Sequence, residues 1–151
     1  MALDKENFFI KMIVFNNKEI KTIDITDKIN GFTNSNSAQI LGQDNIKYKI
    51  MFDKLDTIDN FDDGNILFQL SIKFKNKFYN PLIFLPININ CTNNLQEGLG
   101  RAISYRIHNN KFEHLWFYIS HTFVEEILSN TSDNKISNDE EYIKKVNSLI
   151  L

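Results

Sequence analysis

Apolar and polar residues alternate along much of the first half of the chain, which is the pattern of antiparallel strands with one buried face. The clearest alternation covers residues 65–75, in which every second residue from Ile66 to Phe74 is apolar and most residues between them are polar. Other segments combine apolar residues with the β-branched and aromatic types that strands favour. The pattern predicts strands at residues 8–15, 19–25, 46–52, 65–75 and 78–86.

The second half of the chain has the spacing of helices instead. Thr92 and Asn93 are capping residue types, and apolar residues follow them at intervals of three or four, which predicts a helix over residues 92–108. Gly98 and Gly100 disfavour a helix interior, so a start near Leu99 is the alternative. A last helix is predicted from about Asp139 to Ile150. The second half therefore contributes helices that follow the strands.

Residues 112–128 fit two structures. Read as one helix, they place Phe112 and Trp116 on a single apolar stripe. Read as an extended segment over 112–119, they are followed by a new helix that begins at a capping box formed by Thr122 and Glu125. Periodicity alone leaves both structures open.

These elements predict an α+β fold. Four strands form one antiparallel sheet, in which residues 19–25 and 46–52 are alternatives for one strand, and the C-terminal helices pack on one face of that sheet. The length of 151 residues corresponds to one domain. We therefore expect a single α+β domain over residues 1–151.

The charge and cysteine content exclude several classes of protein. The net charge of −2 lacks the basic excess of proteins that neutralise phosphates, so we expect no nucleic-acid partner. One cysteine, Cys91, excludes an intrachain disulfide and is typical of a reducing compartment. No signal-peptide pattern and no long uncharged apolar run occur in the sequence. We expect a cytoplasmic protein without membrane insertion.

One group of residues contains types that bind zinc. His114, His121 and Glu125 share one face if residues 112–128 form a single helix. The two histidines then lie about two turns apart, which is too far to share one ion comfortably. This group therefore does not predict a zinc site.

An acidic segment resembles a calcium loop only in composition. It runs from Asp53 to Asp63 and contains five aspartates. If Asp59 is position one of the loop, Phe61 and Leu70 occupy positions that need oxygen ligands. We therefore predict no metal, no cofactor and no enzymatic activity.

Aromatic residues make up 13% of the chain, which is more than the inner face of one small sheet requires. An apolar surplus of this kind often forms an interface or a groove for a partner. We predict that the residues binding a polypeptide client or partner are Phe78, Tyr79, Phe84, Trp116, Phe117 and Tyr118.

A second interface is predicted on the helix over residues 92–108. Arg106 lies on the apolar side of that helix, where an unpaired charge would be costly. An ion pair within the chain or between subunits would offset this cost. We predict that the oligomer interface consists of Arg101, Tyr105 and Arg106, which lie on the same predicted helix. We expect a dimer or tetramer.

Four stretches of the chain occur in the order of one known family. Asp62 and Asp63 precede the alternating strand ILFQLSIKFK, and the stretch DNIKYKIMFDKLD comes before them. Farther along are Arg101-Ala102-Ile103-Ser104 and Asn110-Lys111-Phe112, the latter followed by HLWFYI. In this order the stretches resemble the SecB family of protein-export chaperones.

The resemblance implies a small cytoplasmic α+β protein with a four-stranded antiparallel sheet, an extended segment at residues 112–119 and two helices. SecB-like proteins are dimers of dimers that hold unfolded polypeptides in apolar grooves, without ATP or catalysis. The resemblance thus implies a chaperone or holdase whose groove includes the aromatic residues named above. The alternative is a dedicated inhibitor or immunity-type protein that binds one toxin or defence enzyme.

Overall fold

The computed structural model describes residues 3–35, 39–40, 43–44, 46–56, 63–83, 87–90, 93–98, 100–129 and 144. These residues contain twelve strands, one α-helix and two short 3₁₀ helices. The strands and helix are β1 (Phe8–Phe15), β2 (Ile20–Asp24), β3 (Gly31–Thr33), β4 (Gln39–Ile40), β5 (Gln43–Asp44), β6 (Ile46–Leu55), β7 (Asn65–Phe74), β8 (Lys77–Ile83), β9 (Ile87–Asn88), β10 (Asn93–Gly98), β11 (Arg101–His108), β12 (Lys111–Ser120) and α1 (His121–Ser129).

The first sheet has the strand order β2–β1–β7–β8, with β9 paired to the start of β7. Every neighbouring pair is antiparallel, and Phe8 of β1 lies opposite Ile72 of β7. The four main strands coincide with predicted segments, although the last of these is described only as far as Ile83. Those segments are residues 8–15, 19–25, 65–75 and 78–86.

The second sheet has the order β10–β11–β12–β6–β3, again antiparallel throughout. The predicted strand at residues 46–52 lies here, within β6. The expectation of antiparallel sheet with a C-terminal helix is confirmed, but the prediction of one four-stranded sheet is wrong because the strands divide between two five-stranded sheets. A separate two-stranded hairpin joins β4 to β5.

The two large sheets pack face to face, and the core lies between their inner faces. The ring of Phe68 on β7 makes edge contacts with Phe112 and Phe117 of β12, at centroid distances of 5.9 and 5.2 Å. At another point Phe8 of β1 contacts Tyr48 of β6 at 5.5 Å. All five side chains are fully buried. Much of the aromatic surplus therefore holds the two sheets together.

The centre of the outer face of the first sheet is also shielded from water. Ile13, Phe15 and Leu67 point away from the core between the sheets, and each has 0% exposure. Ile13 and Leu67 lie directly opposite each other on β1 and β7. The centre of this sheet is therefore buried on both faces.

The helix predicted over residues 92–108 is wrong, since this segment forms β10 and β11. The two strands pair antiparallel, with Gly98 opposite Arg101, and Gly100 makes the turn with φ at 74°. A residue with a side chain rarely adopts this left-handed conformation, so glycine is the residue that suits the reversal. On β11 the core-facing residues alternate and are Ile103, Tyr105 and Ile107.

Residues 112–119 are extended, as one of the two predicted alternatives had it, and lie within β12. The helix α1 then begins at His121, and the Oγ of Ser120 accepts a hydrogen bond from the backbone N–H of Phe123 at 3.0 Å. Ser120 thus caps the helix in place of the predicted Thr122. The helix predicted at 139–150 lies outside the described residues, except for Lys144.

None of the described helices is long and apolar enough to cross a membrane.

Candidate functional site

The predicted partner-binding residues on β8 lie on the first sheet. Phe78 is 57% exposed on the outer face of that sheet, where its ring contacts Phe9 at 5.1 Å. Tyr79 is half-buried, with the ammonium of Lys77 5.2 Å from its ring. Phe84 lies outside the described residues. Phe78 and Tyr79 therefore lie on opposite faces of β8, and only Phe78 is strongly exposed.

The predicted residues on β12 divide between two faces of the second sheet. Phe117 points into the core and is fully buried, whereas Trp116 and Tyr118 point outward. Because the outer faces of the two sheets look in opposite directions, Phe78 and Trp116 do not share a groove. The structure does not bring the six predicted residues together into one site.

A compact group of aromatic and polar side chains lies on the outer face of the second sheet, and we call it the tryptophan face. Trp116 is at its centre, on the middle strand of the sheet. In the register of the sheet, Trp116 lies opposite Ser104 on one side and Met51 on the other. The members of the face are Lys49, Met51, Ser104, His114, Trp116 and Tyr118.

The cation of Lys49 lies over the aromatic rings of this face. Its Nζ is 4.3 Å from the ring centroid of Trp116 and 5.5 Å from that of Tyr118. A cation over an indole face is stabilised by about 0.5–1 kcal/mol at an exposed site. No carboxylate of the described residues lies within ion-pair distance of Lys49. Its charge is therefore not neutralised by that part of the chain.

Packing fixes Tyr118 at one side of the tryptophan face. Tyr118 is 6% exposed and packs with Ile46 and Ala102, and Trp116 packs against this cluster. Burial raises the pKa of the Tyr118 hydroxyl above its ordinary value. The ring therefore stays neutral and holds the indole in place.

His114 completes the other side of the face. Its ring centroid is 4.7 Å from that of Trp116, and its Nε2 lies 3.2 Å from Ser104 Oγ, within hydrogen-bonding distance. Both side chains are half-buried on neighbouring strands. The imidazole is thus held on two sides, which limits the orientations open to the indole as well.

The environment of His114 favours its neutral form. Burial lowers its pKa below the ordinary value of 6.5, and the positive charge of Arg106 lowers the pKa further. Asp53 and Glu113 act in the opposite direction, but the net shift is downward. At neutral pH the face therefore carries an uncharged imidazole beside the indole, together with the cation of Lys49.

We expect this histidine to make the folded protein less stable in acid. The folded state binds the proton of His114 more weakly than the unfolded chain, so its contribution is complete above pH 6.5 and is lost as the pH falls through the folded pKa. Denaturant unfolding at a series of pH values should show a shallower acid loss for His114→Gln than for the wild type. An NMR pKa of 6.5 or above for His114 would contradict this.

No protein-family model, no curated protein and no solved structure matches this chain. What the tryptophan face does is therefore argued from its own residues. It combines half-buried Trp, Met and His side chains and a cation with a buried Tyr on the outer face of the second sheet. Tryptophan and tyrosine are the residue types most enriched at the energetic centres of protein interfaces.

The three residues with zinc-binding side chains lie on two different elements. His114 is on β12, whereas His121 begins α1 and pairs with Glu125 one turn later, at 2.8 Å between Nε2 and Oε1. Within the described ranges, no three histidine, cysteine, aspartate or glutamate side chains are grouped as a metal site would need.

The three residues of the predicted oligomer interface also separate. The guanidinium of Arg106 pairs with Glu113 of the same chain at 3.4 Å, and both are well exposed. Arg101 lies over the ring of Phe123 at 5.3 Å. Tyr105 is fully buried in the core. Of the two predicted alternatives for Arg106, the structure therefore contains the ion pair within the chain. Tyr105 is buried and is not accessible to a second subunit.

Lys49, Met51 and Ser104 belong to the site but are not among the residues predicted from the sequence. The first two were visible as outward positions of the alternating strand at residues 46–52. Their neighbours on the face come from β11 and β12, however, and only the strand order of the folded sheet brings them beside Trp116.

Proposed function

We propose that this chain is a non-catalytic protein-binding protein that holds one dedicated partner on the tryptophan face. The observation that carries the proposal is the centre of that face, where Trp116 sits on the middle strand with the cation of Lys49 over its ring. Lys49 forms no ion pair with a carboxylate of the described residues. Large aromatic anchors with few flexible bonds provide contact area at low entropic cost. A face built this way suits a partner that offers an apolar pocket with a carboxylate near its rim.

The distribution of exposed apolar side chains favours one dedicated partner over a general chaperone. Among the described residues, the large apolar side chains that are strongly exposed are Phe78 at 57%, Leu95 at 43% and Ile20 at 40%. They lie on different strands, and they do not form a continuous strip. A SecB-like holdase needs long apolar grooves, so the inhibitor or immunity-type function has the better support.

Two substitutions on the tryptophan face should release the partner. We expect Trp116→Ser and Lys49→Glu each to reduce recovery of the co-purified partner from the native host by about tenfold or more, the loss typical of an interface anchor. Quantitative mass spectrometry of tagged wild type and variants measures this. Phe78→Ser is the matched control, since it removes an exposed aromatic side chain from the other sheet.

The control also decides which surface binds. Loss of the partner with Phe78→Ser and its retention with Trp116→Ser would place the site on the first sheet and contradict the proposal. Recovery of many unrelated proteins, together with suppressed aggregation of an unfolded test protein, would favour the holdase instead. In each case circular dichroism of the variants confirms that they are folded.

A further inference from the structure

The strand β2 forms an exposed edge of the first sheet. It pairs with β1 on one side and is last in the strand order of that sheet. Four of its five residues are exposed, and Ile23 is half-buried. Its residues IKTID include two isoleucines and a threonine, which are strong strand formers. Such an edge presents unpaired backbone groups to any strand that can approach it.

The direction of these backbone groups follows from two hydrogen bonds at the ends of the β1–β2 ladder. Ile25 N–H donates to the carbonyl of Ile10, and Asn16 N–H donates to the carbonyl of Glu19, both at 3.0 Å. Backbone groups alternate in direction along an antiparallel strand. The odd-numbered residues of β2 therefore face β1. The residues whose N–H and C=O face outward are Ile20, Thr22 and Asp24.

The other sheet edges are less suited to strand pairing. β8 contains Pro81 and an irregular register with β7, and both features blunt an edge. β3 is only three residues long. β10 contains two asparagines and a glycine, which strands disfavour. Among the described strands, β2 is thus the edge that combines sufficient length, strand-forming residues and a regular backbone.

We propose that β2 pairs with β2 of a second copy of this chain, which joins the two first sheets into one continuous sheet across a two-fold axis. Isologous contacts of this kind give closed dimers. The interface lies on the first sheet, away from the tryptophan face, and does not rest on the function proposed for that face.

The charges on β2 select one register for this pairing. With Thr22 on the two-fold axis, all five residues pair, Ile20 lies opposite Asp24 of the second copy, and Lys21 lies opposite Ile23. No like charges then face each other. A shift of two residues in one direction places Lys21 against Lys21, which is destabilising. The opposite shift shortens the pairing, because β2 ends at Asp24 and a 3₁₀ helix follows.

Thr22→Pro tests the interface without removing a bond of the chain's own sheet. Its N–H faces outward, so proline deletes only the bond to the second copy, and proline is tolerated at such edge positions. Light scattering coupled to size exclusion should give twice the monomer mass of 17.7 kDa for wild type and the monomer mass for the variant. Thr22→Val keeps the N–H and should remain dimeric.

A disulfide tests the register and remains informative if the proline variant does not fold. Paired residues in the expected geometry have Cα atoms about 5.5 Å apart, within the range of disulfides. Thr22→Cys in a Cys91→Ser background should therefore oxidise to a covalent dimer. Glu19→Cys is the control, since the two copies of that residue would lie roughly 20 Å apart.

Three results would overturn the inference. A monomeric wild type at the highest soluble concentration excludes the dimer. A Thr22→Pro variant that folds and stays dimeric places the contact on another surface. Equal cross-linking of the Thr22→Cys and Glu19→Cys variants shows random collision and excludes the register.

Discussion

Substituting Phe117 by alanine should lower the free energy of unfolding by about 3–5 kcal/mol, as for other large aromatic residues removed from a core. Phe117 is fully buried, and its ring contacts Phe52 of the same sheet and Phe68 of the opposite one, at 6.0 and 5.2 Å. The cavity would open between the two sheets, where rigid strands have little freedom to collapse. Urea or guanidinium unfolding followed by circular dichroism measures the loss.

The preceding residue provides the matched control. Trp116 is larger but half-buried on the outer face, so Trp116→Ala should cost only about 1–2 kcal/mol for the apolar area it exposes. The substitution of Phe117 should therefore affect mainly the stability of the fold. The substitution of Trp116 should affect mainly the binding of the partner. A larger stability loss for Trp116→Ala than for Phe117→Ala would contradict the assignment of the two faces.

Gly100→Ala should destabilise the protein by about 2–4 kcal/mol, the sum of a left-handed backbone penalty and steric overlap. Gly100 has φ at 74°, and an added Cβ would lie 2.6 Å from Cβ of Phe123 at the start of α1. The carbonyl of Gly100 also accepts a hydrogen bond from Ser120 N–H at 2.8 Å. The turn and the helix are thus held at one point. Thermal and denaturant unfolding measure the effect.

Gly31→Ala is the control for this prediction. Its added Cβ would also meet an atom at 2.6 Å, but that atom is the terminal Cε of Met51, which can rotate away. Gly31 does not have a positive φ. Its substitution should therefore cost less than about 1 kcal/mol, as for an overlap that a flexible side chain relieves. Equal losses of unfolding free energy for Gly100→Ala and Gly31→Ala would contradict the prediction. They would show that neither the overlap with Phe123 nor the left-handed backbone of Gly100 determines the cost.

Regular strands were predictable because nothing interrupts their alternation. β6 and β7 alternate over most of their length, and their predicted bounds are close to those observed.

The structure of β12 was ambiguous from the sequence for a physical reason. Its register with β11 shifts between Arg106 and Ile107, which leaves Glu113 as an extra residue on β12. Phe112 and Leu115 both face the core but are three residues apart, the spacing of a helix.

The sequence contains a turn signal between β11 and β12. The helical spacing of the apolar residues in 92–108 points to a different structure from this signal. Asn109 and Asn110 both have positive φ, at 52° and 60°. Two consecutive residues of this kind form the tight turn that joins antiparallel strands, and asparagine suits it. The pair therefore marked a hairpin rather than the end of a helix.

The candidate site was only partly predictable for the same reason. Neighbouring residues of a strand point to opposite faces, so composition could identify Trp116, Phe117 and Tyr118 as a group but not separate them. The extra residue at Glu113 resets which of them faces inward. Lys49 joins the site through pairing between β6 and β12, which are far apart in sequence.

The strand order also determines how the chain reaches its fold. Neighbouring strands such as β7 and β8 can pair early, but the middle of each sheet joins distant segments, β1 with β7 and β6 with β12. Proteins dominated by such pairings fold in about milliseconds to seconds. Until those long loops close, the inner strands expose apolar residues and unpaired edges to other chains. Newly made protein is thus most vulnerable to aggregation before its two sheets meet.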